Sequence, residues 1–189
     1  ALPISLEMEA LVVGGSGATG MHLVDELLLR GVKVKAMVRN PDVLPEKWKS
    51  NPKLTVVEGA VLDFSDDELA EYVKGCNAVA SCLGHRPTFQ GLFGHPRYLC
   101  TEATQRLCTA LAANHVDGTP PFKFVLMNTV AVQNQDLKES ISWGAWAVFG
   151  AIRLCLPPHS DNEQACEHLR TTIGQGHKAI KWASVRPDG

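Results

Sequence analysis

A run of glycines directly after a short apolar segment constrains this chain more than any other feature. Residues 11–20 read LVVGGSGATG, and an apolar helical pattern follows over 21–30. Gly14 permits a sharp turn, Gly17 lets a ligand approach the backbone, and Gly20 lets the helix lie close against the strand. The segment is therefore predicted to form a strand, a tight turn and a helix.

The start of this first helix is a predicted anion site. Backbone N–H groups in the first turn face the glycine loop, and the helix dipole adds partial positive charge there. A pyrophosphate is the expected ligand. The spacing is G-x-x-G-x-x-G rather than G-x-G-x-x-G, so an ordinary strand-to-helix turn stays the alternative.

A cation stands where the second strand ends. The predicted strand covers 32–38, and Arg39 follows it, roughly 20 residues after the glycines, where an acidic side chain would bind the ribose of NAD. A guanidinium instead suits a 2′-phosphate, which it binds through paired hydrogen bonds. The sequence therefore favours NADP(H) over NAD(H), with a solvated arginine at a strand end as the alternative.

Strands and helices continue to alternate along the rest of the chain. The further predicted strands are 54–58, 78–83, 122–127 and 180–185, and the helices between them are 66–74, 98–114 and 161–170. Ser160 or Asp161 is the expected cap of the last helix. This alternation predicts an α/β fold whose parallel sheet is covered by helices on both faces.

Candidate binding residues follow the third and fourth strands. Asp63 is placed to bond the amino group of an adenine, with Val61 or Leu62 against the ring face. An equally strong alternative makes Asp63 a turn or cap residue before the next helix. Gly84 ends the fourth strand, where a cofactor ribose would pass close to the backbone.

The long loop from Gly84 to Arg97 is interpreted as one wall of a substrate pocket. It contains three glycines, two prolines and two histidines, and loops of this length are more often functional than simple connectors. His85 and His95 are interpreted as surface histidines. The alternative is that either one acts as an acid near neutral pH.

The six cysteines are interpreted as reduced core thiols without a metal signature. Cys155 with His159, and Cys166 with His168, come nearest to ligand pairs, but no C-x-x-C motif accompanies them. No metal site is predicted.

Composition narrows the class of protein. With 189 residues and 45% apolar composition, the chain has enough material for one domain with a full core. The net charge of -2, without a basic block, argues against nucleic-acid binding. No apolar run reaches the roughly 18 residues of a membrane span, so a cytoplasmic protein is expected. Residues 1–7 precede Met8 and are read as a tag remnant or the end of a removed targeting segment, which would indicate an organelle.

An apolar segment with two tryptophans, Trp143 to Leu156, has two interpretations. Its apolar side chains recur about every three residues, as in a helix that packs against a core. The alternative is a surface that contacts a regulatory protein or a membrane, because two tryptophans lie close together.

Five motifs in chain order resemble the atypical short-chain dehydrogenase/reductase superfamily, and its NmrA-like and flavin/biliverdin-reductase-like NAD(P)-binding branches are the most similar. The motifs are GGSGATG, VRNP, GAVLD and LG after the first four strands, and WASVRP at the sixth. The resemblance covers most of the chain from Met8 to Gly189. It implies a Rossmann fold, a doubly wound parallel sheet with NADP(H) across its carboxyl edge.

The resemblance also implies a role for each matching residue. The pyrophosphate would be bound by Gly14, Ser16, Gly17, Ala18 and Thr19, and the 2′-phosphate by Arg39 and Asn40. Asp63 would bind the adenine and Gly84 the ribose. The set of expected cofactor-binding residues is completed by Gly20, Val61, Leu62, Leu83 and Asn128.

The chain departs from the superfamily's usual proton relay, a tyrosine with a lysine four residues later. Its two tyrosines are Tyr72 and Tyr98, and neither has a lysine at that offset. Where the lysine would fall, the sequence reads HSDNE from His159 to Glu163. His159 is the nearest titratable substitute, and Thr129 after the fifth strand is expected only to orient a substrate or donate a weak hydrogen bond.

Members of this type usually continue past the R-P motif into a segment that closes the substrate pocket, and such a closing lobe is expected to be missing here.

The resemblance leaves two candidate functions. The first is an NADPH-dependent reductase of a flavin, quinone or biliverdin type of acceptor. The second is a non-catalytic NADP(H)-binding sensor or assembly factor, read by a protein partner. The reductase is favoured because it is the commoner function in the superfamily.

Overall fold

The computed structural model describes residues 8–85, 88–129, 132 and 157–187. Its strands are β1 (Glu9–Val13), β2 (Lys33–Val38), β3 (Leu54–Glu58), β4 (Ala78–Ser81), β5 (Phe122–Met127) and β6 (Ile180–Val185). Its helices are α1 (Ala18–Leu29), α2 (Glu46–Lys49), α3 (Asp66–Val73), α4 (Phe89–Phe93), α5 (Leu99–Asn114) and α6 (Pro157–His168). A 3-10 turn covers Pro41–Val43, and a π-helical turn, Leu169–Ile173, extends α6.

The six strands form one parallel sheet in the order β3-β2-β1-β4-β5-β6. This order reverses between β1 and β4, as in a doubly wound Rossmann sheet, so the predicted fold class is confirmed. In such a sheet the loops beyond the carboxyl ends of β1 and β4 diverge to opposite sides. They leave a crevice in which ligands can bind.

Alternate residues of the central strand support helices on both faces of the sheet. Leu11 and Val13 of β1 pack in the core shared with α3, α5 and α6. Val12 lies on the other face, in the core that includes Val24 of α1 and Trp48 of α2. The nearly continuous apolar strands of the sequence are therefore buried on both sides, as a covered parallel sheet requires.

Strands β3, β5 and β6 have the predicted bounds, while the other predicted elements differ at one or both ends, among them β4 and α1. β4 ends at Ser81 rather than at residue 83, because its neighbour β1 ends at Val13, which pairs with Ser81. α1 begins at Ala18 rather than at residue 21, because Gly17 already serves as its extended N-cap.

The predicted cap of the last helix is wrong. α6 is described from Pro157, so Ser160 and Asp161 lie within the helix. Proline is well tolerated in a first helical turn, where its missing N–H group would have no helical partner. The Asp161 carboxylate is used on a different helix, as described below.

Two sequence features fall outside the described part of the chain: the tryptophan segment 143–156, which includes Cys155, and residues 1–7. Among the helices that the structure describes, none is long and apolar enough to cross a membrane.

Candidate functional site

A pocket of about 300 Å³ lies at the carboxyl edge of the sheet, around the point where the strand order reverses. The loops after β1, β2, β3 and β4 form its walls. The lining residues are Val13, Gly14, Ser16, Gly17, Met37, Val38, Arg39, Gly59, Ala60, Val61, Leu62, Asp63, Cys82, Leu83, Gly84, Pro96 and Leu99. The structure thus brings together most of the residues that the sequence assigned to a nucleotide.

In the glycine loop after β1, two glycines lie so close to neighbouring backbone atoms that a side chain would not fit. Gly14 has a φ of 76°, and a Cβ there would lie 2.7 Å from the backbone oxygen of Cys82. A Cβ on Gly20 would overlap the carbonyl oxygen of Gly14. The backbone N–H of Gly17 donates to that same oxygen at 3.0 Å, which closes the turn.

The first turn of α1 faces this loop without a side-chain cap and without an acidic residue. Its first helical hydrogen bond runs from the Met21 N–H to the Gly17 oxygen at 2.8 Å, so the preceding N–H groups of the helix have no helical acceptor. Helix α3 is different, because Ser65 and Glu68 form a complete capping box there. Ala18, Thr19 and Gly20 supply these N–H groups at the border of the pocket rather than in its lining.

The end of β2 contributes a cation to the pocket wall. Arg39 is exposed and lines the pocket. The neighbouring Asn40 does not line it, and its side-chain oxygen accepts the Asp42 N–H at 2.8 Å to cap the 3-10 turn. The Asn40 amide nitrogen is therefore the group with which it would bind a phosphate, and that role stays a prediction.

The loop after β3 forms the wall expected to hold an adenine. Val61 is buried, Leu62 is half-buried and Asp63 is exposed, and all three line the pocket. The Asp63 N–H donates to the Ala60 oxygen at 2.9 Å, and Ser65 is the cap of α3. Asp63 is thus a turn residue and a pocket residue, but it does not cap the helix.

An arginine that the sequence analysis did not single out binds the backbone of this loop after β3. Arg106 on α5 donates through Nη1 to the Leu62 oxygen at 3.3 Å and through Nη2 to the Phe64 oxygen. Its Nε donates to Asp66 at 2.8 Å. The guanidinium fork therefore fixes the backbone of the loop after β3. Nothing local in the sequence distinguishes this side chain from a solvated arginine on a helix.

The end of β4 forms the opposite wall. Cys82 and Leu83 are half-buried and Gly84 is exposed with open space around its Cα. Burial raises the pKa of the Cys82 thiol to about 11, so this side chain is neutral at physiological pH. The wall therefore brings no negative charge that would repel a phosphate.

The side chain of the histidine after Gly84 is buried although the residue as a whole is half-buried, which corrects the interpretation of His85 as a surface residue. Its side chain is 7% exposed. Its Nδ1 lies 3.0 Å from the Gly91 oxygen, and its Nε2 lies 2.8 Å from a carboxylate oxygen of Asp161. His95, in the same loop, is exposed as predicted.

Asp161 caps α5 from another helix. Its fully buried carboxylate accepts the backbone N–H of Cys100 at 2.8 Å and that of Thr101 at 2.9 Å. The Thr101 hydroxyl also donates to the Asp161 backbone oxygen at 2.9 Å. Tyr98, at the N-cap position of α5, provides no side-chain cap, and this residue type is the local signal compatible with a cap from elsewhere in the chain.

His85, Cys100 and Asp161 place three ligand atoms within 4.8 Å of one another. Hydrogen bonds account for this arrangement. Both Asp161 oxygens accept backbone N–H groups, and the Cys100 thiol lies 3.7 Å from the Leu83 oxygen to which it donates. Burial, reinforced by the Asp161 carboxylate, raises the pKa of Cys100 well above its usual range.

Cys166 and His168, the described ligand pair from the sequence, do not belong to any such group of three within the described residues. Burial raises the pKa of Cys166 and lowers that of His168.

The predicted cofactor-binding residue Asn128 and the two catalytic candidates, Thr129 and His159, lie outside the pocket lining. Asn128 is buried, donates to the Asn162 oxygen at 3.2 Å and accepts the Thr129 N–H at 2.8 Å. His159 is also buried, with Nε2 3.4 Å from a Glu163 oxygen. The predicted cofactor contact of Asn128 and the predicted catalytic roles of Thr129 and His159 stay predictions.

Comparison with protein families finds a match to the model of the NAD(P)H-binding family over residues 14–189. An uncharacterised chloroplast protein of Arabidopsis thaliana is 33% identical over 125 residues, which cover 66% of this chain. The chain spans 42% of the length of that relative.

Solved structures with the same fold are oxidoreductases and related proteins. A short-chain dehydrogenase/reductase from Burkholderia vietnamiensis has a TM-score of 0.67 at 18% identity, covering 97% of this chain and 84% of its own. The oxidoreductase ylbE from Lactococcus lactis has a TM-score of 0.65 at 18% identity, covering 96% and 69%. MoeE5, in complex with UDP-glucose and NAD, has a TM-score of 0.66 at 21% identity, covering 94% and 53%. At these identities the likeness shows the fold alone.

Proposed function

Because the chain belongs to the NAD(P)H-binding family and its motifs resemble those of the atypical short-chain dehydrogenase/reductase superfamily, we propose that it is an NADPH-dependent reductase of a small organic acceptor. A flavin, a quinone or biliverdin is the expected type of acceptor. The observation that carries the NADPH preference is the position of Arg39, which lines the pocket at the end of β2.

The glycine loop and the first turn of α1 suit the pyrophosphate of the cofactor. A Cβ at Gly14 or Gly20 would fill the space in which the loop backbone lies against the helix and β4. The uncapped N–H groups of α1 stabilise negative charge, and no acidic side chain in that first turn opposes it. MoeE5, which shares the fold, was solved with NAD bound, which supports a dinucleotide in this pocket.

Arg39 supports NADPH rather than NADH. A guanidinium binds a phosphate with two charge-assisted hydrogen bonds. A free ribose hydroxyl instead donates a hydrogen bond, and arginine has no acceptor for it. Asn40 adds its amide nitrogen beside Arg39. Asp63 is exposed at the other end of the adenine wall and is assigned to the amino group of the base.

When bound, NADPH supplies the hydride for reduction of the acceptor. The chain binds and orients the two reactants. A flavin, quinone or biliverdin also needs a proton, which comes from water or from His159. Thr129 at the end of β5 is assigned to orienting the acceptor.

Calorimetric titration of NADPH and NADH into the wild-type protein and into Arg39→Ala tests the cofactor assignment. The loss of a charged hydrogen bond costs about 1.5 to 3 kcal/mol, which corresponds to roughly 10- to 150-fold in affinity. We expect NADPH to bind more tightly than NADH by such a factor. Arg39→Ala should remove the preference by weakening NADPH while leaving NADH almost unchanged.

The matched control for this titration is Arg30→Ala. Arg30 is exposed and pairs with Glu26 at the far end of α1, so its loss should leave both affinities as in the wild type. A wild-type protein that prefers NADH, or an Arg39→Ala protein that keeps the NADPH preference, contradicts the assignment.

Turnover distinguishes the reductase from the non-catalytic alternative. We expect NADPH oxidation with at least one acceptor among flavin mononucleotide, a quinone and biliverdin. If His159 donates the proton, His159→Gln should lower kcat by about 100-fold or more, and an unchanged kcat assigns the proton to water. Tight NADPH binding without oxidation by any acceptor would instead support a sensor, which the missing tyrosine and lysine relay also favours.

The chloroplast location named for the Arabidopsis relative supports an organelle as the site of this activity, beside the cytoplasm expected from composition. Fluorescence microscopy of the natural gene product, tagged at its carboxyl terminus, distinguishes the two compartments.

A further inference from the structure

The ring of His85 has a hydrogen-bond acceptor at each nitrogen. Nδ1 faces the backbone oxygen of Gly91 at 3.0 Å, and a carbonyl oxygen can only accept. Nε2 faces a carboxylate oxygen of Asp161 at 2.8 Å. A neutral imidazole carries a single N–H and would leave one of these two contacts without a hydrogen, so the partners assign a proton to both nitrogens.

The Asp161 carboxylate is placed to be the counter-ion of this ring. It accepts two backbone N–H groups at the start of α5, where the helix dipole favours negative charge. Its side chain has no exposed surface, and that of His85 has 7%. With a proton on both ring nitrogens, the two side chains form a buried ion pair whose remaining hydrogen-bonding capacity is satisfied by backbone groups.

This ion pair is joined to the pocket through the chain on either side of it. Gly84 directly precedes His85 and Leu99 directly precedes Cys100, and both Gly84 and Leu99 line the pocket. Gly91, in α4, belongs to the same loop as Pro96, which also lines the pocket. The His85 ring thus connects the loop after β4 to the start of α5 and to α6.

We propose that His85 is held as a buried imidazolium between Asp161 and Gly91, and that this charge positions one wall of the nucleotide pocket, so that nucleotide affinity falls when the ring loses its proton. The proposal rests on nucleotide binding at this pocket. It makes His85 and Asp161 positioning residues rather than groups that touch the reacting atoms.

The direction in which pH changes the nucleotide affinity follows from the number of N–H groups on the His85 ring. With both protons in place, the ring donates to Asp161 and to Gly91. When the pH rises and one proton leaves, one of these hydrogen bonds is lost and the loop that carries Gly84 is held less firmly. Nucleotide binding is therefore strongest on the acidic side of the titration and weakens toward alkaline pH.

The surrounding titratable groups do not replace this charge. Among the described residues, the side chains that gather with the ring are Asp161 from α6 and Cys100 from α5, and α4 contributes only the Gly91 carbonyl. Burial and the nearby carboxylate raise the pKa of Cys100, so its thiol stays neutral throughout the range in which histidine titrates.

The test uses nuclear magnetic resonance on the wild-type protein with ¹⁵N-labelled histidine. In the free protein at neutral pH, we expect both ring nitrogens of His85 to carry hydrogens. Because coupling between two binding events is reciprocal, NADPH that prefers the protonated ring must also hold the proton. Saturating NADPH should move the midpoint of the His85 titration upward by about one pH unit, which is a tenfold change in affinity.

Calorimetry with His85→Gln provides a second measurement, and His22→Gln, an exposed histidine on α1, is its matched control. At about pH 6, the wild type should bind NADPH roughly tenfold more tightly than His85→Gln. At about pH 9 this difference in affinity should be lost, because the two pH values bracket the range in which histidine titrates. His22→Gln should follow the wild type at every pH. The phosphate groups of NADPH titrate identically in all three proteins, so their effect cancels in the ratio.

A His85 ring with one hydrogen at neutral pH, or a midpoint that NADPH does not move, would overturn the proposal. A constant ratio of affinities across the pH range would do so as well. If NADPH binds at no pH, the proposed function fails and the coupling fails with it, while the protonation of His85 is still read from the free protein. The wild-type resonance measurement decides the outcome even if His85→Gln does not fold.

Discussion

Asp161→Ala is expected to lower the free energy of unfolding by about 3 to 5 kcal/mol, because it removes one partner of a buried ion pair. The variant leaves the His85 ring and the N–H groups of Cys100 and Thr101 without their acceptor, in a place that water does not reach. This is a large share of the 5 to 15 kcal/mol by which a native domain is typically stable. Urea unfolding followed by circular dichroism measures it.

Two further variants make this experiment specific. Asp161→Asn keeps one acceptor oxygen and the size of the side chain, so its loss of stability should be smaller. Asp117→Ala removes an exposed aspartate and should change stability by no more than about 0.5 kcal/mol. A loss below about 1 kcal/mol for Asp161→Ala would show that the side chain does not hold the loop after β4, α5 and α6 together.

Gly20→Ala is expected to destabilise the protein and to weaken nucleotide binding together. The added Cβ would overlap the Gly14 oxygen and lie 2.9 Å from the Gly14 carbonyl carbon and 3.0 Å from the Gly15 Cα. These are backbone atoms of the pocket loop, so α1 must move away from the loop. Overpacking of this kind costs about 1 to 3 kcal/mol.

The direction of the Gly20→Ala effect is informative, because alanine is better than glycine within a helix by about 1 kcal/mol. A net loss of stability therefore reports the overlap itself. Gly176→Ala is the matched control, since a Cβ at that position meets nothing within 4 Å. Unfolding in urea and NADPH calorimetry should show losses for Gly20→Ala alone, and a Gly20→Ala protein as stable as the wild type would contradict the geometry.

Local patterns in the sequence were sufficient for the sheet and for most of the pocket. Apolar runs fixed the bounds of β3, β5 and β6, and glycines marked the turn after β1. Arg39 and Asp63 could be assigned to one site because residues after parallel strands meet at the same edge of the sheet. Each of these inferences uses residues that lie within a strand or a few positions after its carboxyl end.

The contacts that hold the pocket in shape could not be predicted in this way. His85 and Asp161 are 76 positions apart, and Arg106 reaches the Leu62 oxygen across 44 positions. Periodicity carries no information about such pairs. Asp161 was assigned to the cap of its own helix because a sequence shows the neighbours of an aspartate along the chain, but not the helix that packs across from it.

Two walls of the pocket are both connected to helix α5. Arg106 ties it to the loop after β3, and the start of the helix is tied through Asp161 to the loop after β4. The two attachment points, Cys100 and Arg106, are about 9 Å apart along the helix axis. A displacement of α5 would carry both walls with it, whereas Arg39 directly follows β2, a strand that lies between β3 and β1 in the sheet. Nucleotide preference can therefore be altered at Arg39 without loosening the frame that gives the pocket its width.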